Sequence, residues 1–197
     1  DMGFGGSLFV KVRYELDGAK LKIIIEARTP QTSLCNFTNH SYFNLDYSGS
    51  LKNHYLLIKS NEIVEVDNNK LPTGRLLNVD GSKFDFRSET KLSDQCGSVA
   101  SLDNNFCFSS SATELCEVAE LVASGCKMVL STTEPGLQVY TGSSLSPPLK
   151  PFQGIALEPQ LWPDSPNNEG FPNAFLRAGE IYKQITEYSF INTRSSE

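Results

Sequence analysis

The stretch Leu8-Phe-Val-Lys-Val-Arg-Tyr-Glu-Leu-Asp-Gly-Ala-Lys-Leu-Lys-Ile-Ile-Ile-Glu-Ala27 decides the fold class. Leu8, Val10, Val12, Tyr14 and Leu16 alternate with Lys11, Arg13 and Glu15, and Leu21, Ile23, Ile25 and Ala27 alternate with Lys22 and Glu26. A period of two is the signature of a strand with one face on the core. Asp17-Gly18 between the two runs is turn chemistry, so the stretch predicts a β-hairpin.

The same period recurs in Tyr55–Lys59, Ile63–Val66, Lys127–Thr133, Leu137–Thr141, Gly154–Gln160 and Ile181–Phe190. Turn residues punctuate these runs: Pro72-Thr-Gly74, Asp80-Gly81, Pro135-Gly136 and Pro147-Pro148. The one helix-like stretch, Ala112–Ala123, is also compatible with a strand and is assigned to strand. Ser109-Ser-Ser111 reads as a hairpin tip. Many short strands with regular turn signals predict an all-β sandwich or barrel, read as one domain over residues 1–197.

At 197 residues the chain can bury about 70% of its unfolded surface. Seventeen Lys and Arg against 23 Asp and Glu leave a net charge of −6 and no basic stripe, which excludes nucleic acid and anionic membrane as expected partners. No apolar run approaches a membrane span, and no signal peptide is read at the start. The five cysteines, an odd number without a CxxC pair, argue against a disulfide framework or zinc site; they are expected to be reduced and mostly buried in a cytoplasmic protein. Asn36-Phe-Thr and Asn39-His-Ser match the glycosylation pattern and are read as chance. The opening Asp1-Met-Gly-Phe-Gly-Gly6 reads as the interior of something longer.

Four segments carry chemistry. In Asn36-Phe-Thr-Asn-His-Ser-Tyr-Phe-Asn-Leu45, an extended chain places Thr38, His40, Tyr42 and Asn44 on one face and Phe37, Phe43 and Leu45 on the other. Hydroxyls, an amide, an imidazole and a flat ring on one face suit a sugar. The second histidine, His54, opens a strand and reads as an edge or capping residue. In Gly154-Ile-Ala-Leu-Glu-Pro-Gln-Leu-Trp-Pro-Asp164, Glu158 stands among small and apolar residues near the one tryptophan, so desolvation should raise its pKa. After Pro135-Gly136, Gln138 and Tyr140 share a face, and Asp103 stands at a loop–strand junction. The sequence contains no phosphate-binding loop, dinucleotide fingerprint, HExxH or nucleophile elbow.

Taken in order, TNHSYFNL at 38–45, LPTG at 71–74, FDFR at 84–87, LDNNF at 102–106, TTEPGLQVYTG at 132–142, LEPQLWPDSPN at 157–167, FPN at 171–173 and LRAGE at 176–180 resemble the galactose mutarotase (aldose 1-epimerase) family. The resemblance implies a large β-sandwich and an isomerase that interconverts α and β anomers of a free hexose. It implies His40 as general acid, Glu158 as general base, Asp103 and Gln138 as sugar-binding residues, a small-molecule aldose as partner, and no metal or organic cofactor. Imidazole can donate near neutral pH, whereas a glutamate becomes an effective base only when burial raises it. Family members carry a further segment before the opening strand pair, with an arginine and another histidine for the pocket. Neither maps onto this sequence, so the resemblance implies a shortened or incomplete family sandwich, with little or no turnover from these 197 residues alone and open sheet edges prone to association. A non-catalytic sugar-binding module and a hexose-phosphate epimerase are the competing readings; the second needs a basic pocket that the motifs do not show.

Overall fold

A computed structural model describes residues 4–108 and 114–194. The strands are β1 (Phe9–Asp17), β2 (Lys20–Arg28), β3 (Ser33–Leu34), β4 (Tyr42–Phe43), β5 (Tyr55–Ile58), β6 (Glu62–Val66), β7 (Pro72–Asn78), β8 (Thr90–Lys91), β9 (Asp103–Cys107), β10 (Cys116–Ala123), β11 (Cys126–Thr132), β12 (Gly136–Tyr140), β13 (Ile155–Gln160), β14 (Phe175–Leu176) and β15 (Ile181–Asn192). A seven-stranded antiparallel sheet in the order β1-β2-β15-β11-β10-β5-β8 lies against a six-stranded sheet in the order β4-β13-β12-β9-β6-β7. Strands β3 and β14 form a separate pair.

The opening hairpin is present, with Asp17 opposite Lys20 and therefore Gly18 and Ala19 at the turn. Gly18 adopts φ +56°, which an L side chain rarely tolerates. The alternation of β1 does not mark a buried face. All nine of its residues are exposed, and Phe9, Tyr14 and Leu16 stand 69%, 61% and 78% open at the sheet edge. Ile23 and Ile25 of β2 do reach the core.

Between the sheets, Ile23, Ile25, Leu56, Ile58, Phe106, Leu121, Met128, Leu130, Leu137, Val139, Ile155, Leu157 and Tyr188 form one apolar cluster. Each buried leucine or isoleucine contributes about 1.5–3 kcal/mol relative to an exposed one. The inward face of β15 is an exception, because it presents Tyr182, Gln184, Thr186 and Tyr188. Strand β4 pairs only with Ile155 and Ala156, leaving the rest of β13 without a partner strand on that side. There the Tyr188 hydroxyl donates to the Leu157 carbonyl at 3.3 Å, and Gln184 Nε2 donates to the Pro159 carbonyl at 2.7 Å. A buried carbonyl left unpaired costs about 1–3 kcal/mol, so polar side chains are favoured over apolar ones here.

Several expectations need correction. Pro72-Thr-Gly74 is not a turn but the start of β7, an edge strand where a missing N–H is harmless. The cysteines are free, but only Cys35 and Cys107 are buried; Cys96 and Cys116 are exposed and Cys126 is intermediate. Of the two readings of His54 the capping one holds: it is fully buried, and its Nε2 accepts the Leu45 N–H at 2.8 Å. Strand β10 covers the described end of Ala112–Ala123, whereas Ser109-Ser-Ser111 lies outside the described residues. No described helix is long and apolar enough to cross a membrane.

Candidate active site

Leu137, Val139, Ile155, Leu157 and Phe106 point into the sandwich, so their neighbours in sequence occupy the outer face of the six-stranded sheet. Strand register then arranges that face in two rows. Tyr42, Ala156, Tyr140 and Asp103 lie opposite one another across β4, β13, β12 and β9. One step along, Glu158, Gln138 and Asn105 form the second row. The four residues picked from sequence are thereby gathered: Glu158, Gln138 and Asp103 by register, and His40 by the segment leading into β4.

That segment is anchored by Asn36. Its side chain donates to the Leu161 carbonyl at 3.3 Å and accepts the Leu161 N–H at 3.0 Å, tying the 36–43 stretch to the end of β13. His40 Nε2 lies 3.4 Å from Glu158 Oε1. The Glu158 side chain is 9% exposed and that of His40 51%, so a sheltered carboxylate meets an open imidazole. Burial raises the Glu158 pKa above the ordinary carboxylate range; the His40 charge opposes the shift and the Asp103 charge adds to it. The Tyr42 ring lies 5.0 Å from the imidazole and 6.3 Å from Tyr140, an aromatic flank on the same face.

Asp103 is held from two sides. Gln138 Nε2 donates to its Oδ1 at 2.9 Å, and Lys70 Nζ donates to its Oδ2 at 2.7 Å. Lys70 stands at φ +63° in the β6–β7 connection, whose Asp67 carboxylate accepts the Asn69 and Leu71 N–H groups. No sequence signal marks it, because a lone lysine in a turn is ordinarily solvent-facing. Lys70, Asp103, Asn105, Gln138 and Pro163 line a cavity of about 150 Å³, with the buried Asn105 Oδ1 unpartnered. A larger concavity of about 750 Å³, between the 44–47 loop and the 124–126 turn, shares only Tyr42 with the site.

Two sequence readings shift. Asn44 does not join the polar face; its Nδ2 donates to the Ser50 and Gln153 carbonyls. Trp162 packs with Val64, Cys107 and Phe171, and its indole N–H donates to the Pro135 carbonyl at 2.7 Å. Beneath the indole lies Gly136. A Cβ there would stand 2.8 Å from Trp162 Cδ1, 2.9 Å from Asn105 Oδ1 and 2.9 Å from the Gln160 carbonyl. Gly136→Ala is expected to cost about 1–3 kcal/mol through overpacking and to lower the thermal midpoint by several degrees. Circular dichroism melts check this; an unchanged midpoint would mean that the indole yields freely.

A buried carboxyl stands apart from this face. Glu134 is 5% exposed, and Oε1 accepts the Tyr182 hydroxyl at 3.0 Å while Oε2 has no partner. Burial pushes its pKa up to about 7. Among the described residues, no group of three or more His, Cys, Asp or Glu is placed to hold a metal.

The profile of the family described as aldose 1-epimerase matches residues 1–189. The chain is 39% identical to galactose mutarotase of Mus musculus over 95% of its own length, and 36% identical to aldose 1-epimerase of Escherichia coli K12 over 97%. It spans 59% and 61% of those relatives' lengths. Among solved structures, an aldose epimerase homologue from C. elegans superposes with a TM-score of 0.88 at 28% identity, over 98% of this chain and 62% of that one. Galactose 1-epimerase from Lactobacillus acidophilus gives 0.83 at 25%, over 97% and 59%.

Proposed function

Since this chain belongs to the aldose 1-epimerase family, we propose that it interconverts the α and β anomers of a free aldose such as glucose or galactose. The single observation that supports this reading most is the contact between the sheltered Glu158 carboxylate and the His40 imidazole, 118 positions apart in sequence (158 − 40) and 3.4 Å apart in space.

In the proposed mechanism, Glu158 takes the proton from the C1 hydroxyl and His40 gives one to the ring oxygen. The C1–O5 bond breaks, leaving the open-chain aldehyde. Rotation about C1–C2 presents the other carbonyl face, and the proton transfers run in reverse to close the ring. Both oxygens are borne by one carbon, so an acid and a base side by side can address them together. Each positioned proton transfer contributes about 10²–10⁴ in rate. Asp103 and Gln138 would bind hydroxyls remote from C1, with Lys70 as an additional donor.

The five free cysteines support a reducing compartment, and we place the protein in the cytoplasm. Polarimetry of freshly dissolved α-D-galactose, or NMR exchange between its anomers, tests the activity. The 197 residues span about 59% of the curated relatives, so the rate expected of them alone is small and sugar titration followed by NMR is the companion measurement. Sugar-induced shifts at His40 and Glu158 support the reading; a sugar that perturbs neither group and accelerates nothing ends it.

A further inference from the structure

We propose that Gln184 and Tyr188 are positioning residues for Glu158: from the opposite sheet, they hold the two backbone carbonyls on either side of it. The inference rests on the reading of Glu158 as the base. Its evidence is separate, because neither residue lies on the outer face where the sugar would bind.

Glu158 sits on β13 where β4 no longer accompanies it. Between its last β4 partner, Ala156, and the Asn36 hydrogen bonds at Leu161, that edge of the strand has no backbone ladder, and Pro159 has no N–H to offer. A strand whose middle is laddered on one side only can twist there, and the carboxylate would move with it. Two donors from β15 close that gap. Tyr188, fully buried, donates to the carbonyl preceding Glu158, and Gln184, 1% exposed, donates to the carbonyl following it. The amide end assignment of Gln184 follows from its partner: a carbonyl requires the Nε2 donor, and Oε1 is left without one. A glutamine on the core face of a strand, with one end idle, has no better-supported role than the bond that its other end makes.

The two bonds bracket one residue, so they fix both the height of Glu158 and its rotation about the strand axis. Misplacement of a reacting group by about 1 Å can cost a hundredfold in rate. The groups that face the Glu158 carboxyl are His40 in contact, Asp103 and Tyr42 on the outer face, and Tyr188 from below; Gln138 opposite is neutral. Loosening β13 admits water to the carboxyl and leaves these charges nearly in place. The Glu158 titration should therefore move down toward the ordinary range.

The test uses Tyr188→Phe, which removes one oxygen, and Gln184→Met, which keeps the length and removes the donor. Carbon-13 NMR of Glu158 across pH reads its titration without requiring turnover, and anomer exchange reads kcat and KM. The expected result is a lowered Glu158 titration midpoint in both variants, kcat reduced about tenfold and KM within twofold. If Gln184→Met fails to fold, Tyr188→Phe decides alone. A native-like melt with an unmoved Glu158 titration in Tyr188→Phe overturns the inference. A moved titration in a chain that neither binds nor converts sugar keeps the positioning role and retracts the anomerase reading.

Discussion

Replacing Glu158 by glutamine is expected to lower anomer exchange by about 10²–10⁴, the range of one positioned general base. The amide keeps the shape and can still contact His40, so β13 and the fold stay as they are. What would be lost is the carboxylate proposed to accept the C1 hydroxyl proton. Sugar affinity should change little, because Gln138 stands on β12 and Asp103 on β9, the next two strands across the sheet. The pH profile of the parent carries the same signature. Because burial raises Glu158, kcat/KM should climb with pH through a midpoint above the ordinary glutamate value, and that ascending limb should vanish in the variant. A variant that retains turnover and the ascending limb would remove Glu158 from the mechanism.

The second large effect concerns stability. Folded, Glu134 holds its proton up to about pH 7; unfolded, it releases it near the ordinary 4.5. Between those values the folded chain binds more protons than the unfolded one, so stability falls as pH rises and levels off above pH 7. A shift of about 2.5 units corresponds to about 3 kcal/mol. Glu134→Gln keeps an acceptor for the Tyr182 hydroxyl and abolishes the titration. Urea unfolding at pH 5 and pH 8 should show the parent losing about 2.5 kcal/mol more than the variant across that interval. Equal losses would mean that the carboxyl is hydrated in solution.

The alternation around Gly18 and the period-two runs at β11, β12 and β13 were enough to read an all-β sandwich or barrel, and the family resemblance pointed to the sandwich. Strand β7 was not legible, because Pro72 and Gly74 look like a turn until an edge position makes the missing N–H harmless. The pairs β3–β14 and β5–β8 involve two-residue strands, too short to leave a period. In the site, His40, Glu158, Asp103 and Gln138 were legible because ordered motifs carry them. Lys70, Gln184 and Tyr188 were not. Their partners lie 25 to 33 positions away, and nothing local distinguishes Lys70 from an ordinary turn lysine or Gln184 from a solvent-facing amide on an alternating strand. The exposed β1 shows the reverse failure, an alternation with no core behind it.

The candidate surface is a mosaic of four strands drawn from the first quarter of the chain to its last third. Carbohydrate that binds there should raise the melting temperature of the whole sandwich in proportion to its logarithmic concentration, rather than quieting one loop. For the same reason this face should form late on the folding pathway, after the slow long-range pairings that such a topology demands.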